Sequence, residues 1–213
     1  MADLPLLLQG ALVTASVSLA AIVLGIPMGL ALAIVRWQRI PVLSQVVAAY
    51  VSVIRATPAI TLALLIFFGS PSIGIVLGAT AAAVLTLLIN TSAFNCEIWR
   101  SALIDFPRDQ LEAARAYGMS PLLRFRRIVF PQVWRTSLPA LVNEMTLLIK
   151  ASPALAVIGI VDLTRAASRI GAATYQPLPP FLAATVIYML MVMLLVGAQR
   201  FVERLVRERF DLA

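Results

Sequence analysis

Four charged side chains lie inside long apolar segments of this sequence: Arg55, Glu97, Glu144 and Lys150. An ionised group is expensive to hold in an apolar environment unless it faces a cavity or a partner. A carboxylate suits a cationic group and an ammonium suits a carboxylate, so these side chains could bind a charged solute. Glu144 is therefore predicted to face a bound cation.

Two of these charges come shortly before a proline. Residues 55–58 read Arg-Ala-Thr-Pro, and residues 150–153 read Lys-Ala-Ser-Pro. Proline breaks a helix and restricts the residue before it, so each segment is expected to interrupt a helix, with Thr57 or Ser152 capping the next one. The positive end of such a half-helix suits an anionic group. We expect Lys150 and the turn at Ser152 to lie near a substrate carboxylate.

Each of these roles has a simpler alternative. A kink that serves packing alone would also explain Ser152 and Pro153. Arg55 could form a structural ion pair or contact a lipid headgroup, and this is as well supported as contact with a substrate. Glu97 could pair with Arg100 one helical turn away. For Glu97 we favour that pair over a place in a pathway.

Composition places these segments in a lipid bilayer. Hydrophobic residues make up 61% of the chain and the mean hydropathy is +0.95, which is too apolar for a soluble domain of this length. Histidine is absent and cysteine occurs once, so histidine-based nucleophilic or metal sites and an intrachain disulfide are excluded. We predict no catalytic residue, no metal site and no cofactor in this chain. The net charge of +7 is attributed to membrane topology and not to nucleic acid.

Five apolar stretches are long enough to cross a bilayer, which takes about 20 helical residues. They cover residues 11–35, 42–68, 76–97, 138–161 and 181–201. Most of the basic residues fall on one side of these spans, which predicts an outside N-terminus and a cytoplasmic C-terminus. The predicted fold is one all-α polytopic membrane domain, residues 1–213, with five transmembrane helices.

The first span contains Gly25 and Gly29, four residues apart, with Pro27 between them. Small residues at this spacing allow two helices to approach closely. We interpret the pair as a packing site combined with a proline kink, and not as part of a ligand site.

A polar, arginine-rich segment, about residues 105–132, follows the third span and is predicted to form a cytoplasmic helical hairpin. Pro107 suits the first turn of a helix, and Gly118 suits its end because glycine adopts the left-handed conformation freely. The Ser120-Pro121 pair suits the start of a second short helix, which Pro131 is expected to end. So much capping chemistry favours a docking element over a solvated loop.

This hairpin resembles the EAA loop of binding-protein-dependent ABC transporter permeases. The family pattern is Glu-Ala-Ala, three residues, Gly, nine residues and then Ile-x-Leu-Pro. The matching residues here are Glu112, Ala113, Ala114, Gly118, Ile128 and Pro131, with Phe130 in place of the usual leucine. The EAA pattern is specific to this class of permease.

Other segments are similar to the polar amino acid branch of that family. Residues 55–58 resemble its Arg-Gly-Thr-Pro, and residues 92–100 resemble its Gly-Ala-Tyr-x-x-Glu-Ile-x-Arg. Residues 143–144 and 172–177 are similar to subunits that import basic amino acids and opines. The resemblance covers essentially residues 10–205.

The resemblance implies a coupling helix that sits in a groove of an ABC ATPase, with Glu112, Ala113, Ala114 and Gly118 as contact residues. The ATPase would be a separate subunit dimer that binds ATP and Mg, because this chain has no Gly-x-x-x-x-Gly-Lys-Ser/Thr loop. This chain is accordingly not expected to be an enzyme.

The family also implies a second permease subunit, either homologous or identical, and an extracytoplasmic solute-binding protein. The binding protein could dock at Asp162, Arg165 and Arg169, although three charges are weak evidence and a solvated loop is the better default.

The function implied is the translocation subunit of an ATP-driven importer in a bacterial inner membrane. Its substrate would be a polar, preferably basic, amino acid or derivative. The predicted pathway residues are Arg55, Thr57, Glu97, Glu144, Lys150 and Ser152. The alternative is a secondary transporter driven by an ion gradient, which usually has more spans in paired repeats. An intramembrane enzyme is disfavoured because the chain has no histidine and no clustered acids with metal-ligand spacing.

Overall fold

The computed structural model describes residues 3–210, with side chains to residue 201, and all regular structure in that range is helical. The α-helices are α1 (Leu4–Trp37), α2 (Leu43–Ala56), α3 (Ala59–Gly69), α4 (Ala79–Ile104), α5 (Arg108–Ala116), α6 (Pro121–Arg124), α7 (Phe130–Ala151), α8 (Leu163–Thr174) and α9 (Leu178–Phe210). Shorter segments are the 3-10 helices Ser70–Ile73 and Ser152–Ile158 and the π-helical turn Phe125–Val129.

The predicted all-α polytopic fold is confirmed, but the second predicted span is not straight. Among the residues that the structure describes, four helical stretches are long and apolar enough to cross a bilayer: Leu4–Trp37, Ala79–Ile104, Pro121–Ile158 and Leu178–Phe201. The segment predicted as a span over residues 42–68 consists of α2 and α3, which are bent by 110° at their junction. Counted as one broken span, the pair brings the total to five; it would otherwise be a re-entrant loop. The orientation of the termini stays a prediction.

The closest helix pair is α1 against α4, and it is built on the predicted glycines. A Cβ atom on Gly25 would lie 2.3 Å from Cγ2 of Thr91, and one on Gly29 would lie 2.6 Å from Cβ of Asn95. Neither position has room for a side chain, so the backbones of α1 and α4 meet directly. The packing interpretation of Gly25 and Gly29 is confirmed.

A buried tryptophan joins three helices on the half of the bundle that carries the hairpin. Trp99 of α4 is fully buried, and its indole N–H donates to the carbonyl oxygen of Ile26 in α1 at 3.2 Å. Its ring also contacts Trp134 of α7, with 5.7 Å between the ring centroids. The α1–α4–α7 unit is therefore fixed where the hairpin begins and ends.

The opposite end of the bundle carries α8, an amphipathic helix that the sequence analysis did not identify. Asp162 caps it by accepting from the backbone N–H of Arg165 at 2.9 Å and from the hydroxyl of Tyr188 at 3.2 Å. The Asp162 side chain is only 1% exposed. The default interpretation of this segment as a solvated loop is therefore wrong for Asp162, while Arg169 is exposed as expected.

Candidate functional site

The first hairpin helix, α5, ends in a complete glycine cap. Gly118 has φ +71°, the N–H of Met119 donates to the carbonyl of Ala114 at 3.1 Å, and the N–H of Gly118 donates to that of Arg115 at 2.9 Å. These two bonds define a Schellman motif, which satisfies carbonyls that the helix end would leave unpaired. The role predicted for Gly118 is confirmed. Pro107, predicted at the first helical position, is instead the N-cap one residue earlier.

The four predicted coupling residues do not share one environment. Glu112, Ala113 and Gly118 are exposed, but Ala114 is only 4% exposed. Ala114 therefore lies on the inner face of the hairpin, while the other three are available to a partner.

The second half of the hairpin continues directly into a membrane-spanning helix. Ser120 caps α6 as predicted, since its hydroxyl oxygen accepts from the N–H of Leu123 at 3.4 Å. The expectation that Pro131 ends this helix is wrong, because the chain passes through the turn Phe125–Val129 into α7 without a break. Pro131 is the second residue of α7, directly after the π-helical turn.

A side-chain hydrogen bond joins the two halves of the hairpin and was missed in the sequence. The amide nitrogen Nε2 of Gln132, on α7, donates to Oε1 of Gln110, on α5, at 2.8 Å. The two residues are 22 positions apart and form no local motif. The hairpin is therefore held to α7 by both the main chain and this bond.

The predicted pathway residues near the end of α7 lie where the α-helix changes into a 3-10 helix. Helix α7 ends at Ala151, and a 3-10 helix begins at Ser152, as the proline pattern predicts. Ser152 is buried and stands inside the new helix, so the prediction that it caps that helix is wrong. Lys150, two residues earlier, is exposed.

The break between α2 and α3 is also at the predicted place, but the Thr57 hydroxyl does not play its predicted role there. Oγ1 of Thr57 donates to the carbonyl oxygen of Val53 at 2.8 Å, and Pro58 is the N-cap of α3. The prediction that Thr57 caps α3 is therefore wrong. Its hydroxyl reaches back to a carbonyl at the end of α2, which is a common local use of threonine.

Glu144 is the buried acid of the predicted pathway. It is 7% exposed, and within residues 3–201 it makes no hydrogen bond and no ion pair shorter than 4.0 Å. Arg55 is the charged residue that acts on it electrostatically. The Arg55 guanidinium lies over the ring of Phe94, 5.2 Å from its centroid, which is a cation–π contact. The contact with Phe94 places the end of α2 against α4.

Glu97 belongs to a different arrangement. Its carboxylate pairs with Arg100 at 2.7 Å, as the alternative interpretation predicts, and also with Arg36 of α1. It therefore ties α1 to α4. It also lines a cavity of about 640 Å³ between α4 and α7.

Residues 6–208 match the model of a protein family described as "Binding-protein-dependent transport system inner membrane component". The chain is 35% identical to the nopaline transport system permease protein NocM of Agrobacterium fabrum, over 87% of this chain and 81% of that protein. It is 31% identical to the arginine transport system permease protein ArtQ of Bacillus subtilis, over 95% of this chain and 93% of that protein.

Solved structures agree with these relatives. A chain in the crystal structure of an amino acid ABC transporter with histidines superposes with a TM-score of 0.84, at 34% identity and over 94% of each chain. A chain of the inward-facing MetNI methionine ABC transporter superposes with a TM-score of 0.79 over 95% of this chain, at 22% identity, and supports the fold alone. The chain therefore belongs to the family of binding-protein-dependent transport system inner membrane components, and it is a permease subunit of an ABC importer.

Proposed function

We propose that this permease moves a basic amino acid or a derivative of one across a bacterial inner membrane. The relatives named for nopaline and arginine support this substrate class, since both compounds carry a cationic group. Within the chain, the buried carboxylate of Glu144 supports it, because it lacks a partner within 4.0 Å in the described residues. A cationic side chain would supply that partner.

The observation that carries the proposal is the continuity of α7. One helical path leads from the hairpin to Glu144 and to the break at Ser152. A push on the hairpin would therefore move a pathway carboxylate and a helix break together as one rigid body.

The proposed motor is an ABC ATPase dimer that holds ATP and Mg and contacts the hairpin. Glu112, Ala113 and Gly118 offer an exposed surface for this contact. Ala114 contributes indirectly, by letting the hairpin pack closely on itself.

The rest of the pathway is proposed to lie against a second permease subunit, homologous or identical. Arg55 and Lys150 are exposed on this chain, and neither lines the cavities beside α4, α7 or the hairpin. Lys150 and the turn at Ser152 would bind the substrate carboxylate, while Arg55 and Thr57 would line the opposite wall. A solute-binding protein would deliver the substrate on the outer side, where the N-terminus is predicted to lie.

Transport by proteoliposomes that contain the permease, its ATPase and candidate binding proteins tests the proposal. We expect arginine uptake to require ATP and one binding protein. Glu144→Gln should lower arginine uptake about tenfold more than glutamine uptake, the size expected for losing a charged interaction. Glu112→Gln is the matched control, and it should lower both equally through coupling. Uptake without ATPase, or equal losses in Glu144→Gln, would contradict the proposal.

A further inference from the structure

Two cavities lie side by side where the end of α1 meets the hairpin. The larger has a volume of about 680 Å³ and the smaller about 270 Å³. Trp37 and Leu111 line both of them, so the two cavities are adjacent and share part of their walls. We call the pair the double cavity.

The larger part of the double cavity has mostly apolar walls. They include Ile34 and Trp37 of α1, Leu111 of α5, and Leu122 and Phe125 after the hairpin turn. The rings of Trp37 and Phe125 contact each other, with 6.5 Å between their centroids. A volume of this size is typical of a pocket that holds a small molecule or a chain segment.

The smaller part is cationic. Arg36, Arg39 and Arg108 line it, and Arg115 and Arg124 line the larger part, while neither lining includes an acidic residue. Arg36 is paired with Glu97. The side chains of the other four arginines make no hydrogen bond or ion pair within the part of the chain that the structure describes.

The double cavity combines an apolar part with a part whose arginine charges have few acidic partners. It is therefore suited to an amphiphile with an anionic head group. The site lies at the end of the membrane-spanning helix α1, where headgroups are found, and tryptophan is typical of that depth. Basic pockets at the ends of transmembrane helices bind anionic lipid headgroups. A docked protein segment fits less well, because the apolar walls offer little to satisfy its backbone.

We propose that the double cavity binds one anionic phospholipid of the surrounding bilayer. Arg39 and Arg108 hold the phosphate, and an acyl chain lies against Trp37, Leu111 and Phe125. The lipid then bridges α1 and the hairpin, so that it braces the coupling helix against the bundle.

The test measures binding of phosphatidylglycerol to the purified permease in phosphatidylcholine nanodiscs, first without and then with its ATPase subunit, by native mass spectrometry. We expect one tightly retained phosphatidylglycerol per permease chain. The double variant Arg39→Gln with Arg108→Gln should weaken this retention about tenfold, since each basic residue adds to binding of an anionic lipid. Arg39→Lys with Arg108→Lys should restore most of it.

The matched control is Arg126→Gln with Arg127→Gln, which removes the same charge from exposed residues of the hairpin outside the double cavity. This control should leave lipid retention unchanged. If it weakened retention as much as the Arg39 and Arg108 variant does, the lipid would be held by surface charge alone, which would contradict the proposal. Inorganic phosphate should not displace the lipid, because it has no acyl chain; displacement would mean a free phosphate site. Loss of the lipid when the ATPase subunit is added would show the cavity to be a protein docking site and would overturn the proposal.

Discussion

The two glycines of α1 differ in what a methyl group would meet. At Gly25 the nearest atom is the tip of the Thr91 side chain, at 2.3 Å, whereas at Gly29 it is Cβ of Asn95, at 2.6 Å, followed by the backbone nitrogen of Cys96 at 3.0 Å. A side-chain tip can be removed by mutation, but the main chain of α4 cannot move alone. The two sites therefore respond differently to the same substitution.

We expect Gly29→Ala to destabilise the protein by about 1–3 kcal/mol, because overpacking forces the backbone to shift. Gly25→Ala should be destabilising too, but Thr91→Ser, which removes the clashing Cγ2, should restore its melting temperature in detergent. The same second substitution should not rescue Gly29→Ala. Gly197→Ala in α9 is the control, since no atom lies within 4 Å of its Cβ position.

The hydrogen bond between Gln110 and Gln132 joins the hairpin helix α5 to the membrane-spanning helix α7. Gln132→Ala should lower the number of substrate molecules moved per ATP hydrolysed, because α5 loses a bond of about 0.5–1.5 kcal/mol to α7. Gln110→Glu combined with Gln132→Lys should restore the ratio through an ion pair. Gln45→Ala, at an exposed glutamine of α2, is the matched control. An unchanged ratio in Gln132→Ala would remove this bond from the coupling route.

At the scale of elements, the hairpin depends on the left-handed residue that ends α5. Gly118 has open space around its Cβ position, so a substitution there acts through backbone strain alone. A residue with a side chain costs about 1–2 kcal/mol in this conformation.

We therefore expect Gly118→Ala to weaken binding of the ATPase subunit several-fold in a pull-down titration, and Gly118→Val to do so more strongly. Gly74→Ala provides the comparison, because Gly74 also has a positive φ, +80°, and open space, but lies in a loop at the other end of α4. Equal effects of Gly74→Ala and Gly118→Ala on ATPase binding would mean that global stability, and not the hairpin, is responsible.

Local signals predicted the elements well where the chemistry is local. Glycine at residue 118 ended α5, Ser120 began α6, and the prolines at 58 and 153 marked both breaks. The predictions of helix ends and caps were wrong where contacts with residues distant in sequence determine the local structure. The π-helical turn before Pro131 leaves no sequence signature, so the sequence alone predicts a helix end there. The Thr57 hydroxyl can either cap α3 or bond back to α2, and local sequence does not distinguish the two.

The candidate site was only partly predictable for the same reason. The charges at Arg55, Glu144 and Lys150 are conspicuous in an apolar sequence, but their mutual arrangement is a product of the tertiary fold. The bond between Gln110 and Gln132 and the burial of Asp162 involve residues far apart in sequence, so no periodicity reports them. Helix α8 is short and mixed in composition, and it could not be told from a loop.

At the scale of the whole molecule, the placement of its two ends across the bilayer is open to direct measurement. Cys96 is fully buried, so replacing it with serine gives a background without cysteine. Tyr117 in the hairpin is 88% exposed, and Tyr175 at the far end is 93% exposed.

In intact cells, a membrane-impermeant maleimide should label Tyr175→Cys and leave Tyr117→Cys unlabelled. Permeabilising the membrane should then expose Tyr117→Cys to the reagent. The reverse pattern would place the hairpin outside the cell, where no ATP-driven subunit could reach it.

The π-helical turn Phe125–Val129 sets the angular phase between the hairpin and α7. Each residue of an α-helix rotates the chain by about 100°, so deleting one residue of the turn would swing α5 about a quarter of a circle around the α7 axis. The side chains of α7 would keep their positions, but the proposed ATPase would then push on α7 from a different direction. In the proposed coupling, the direction of that push would depend on this single π-helical turn.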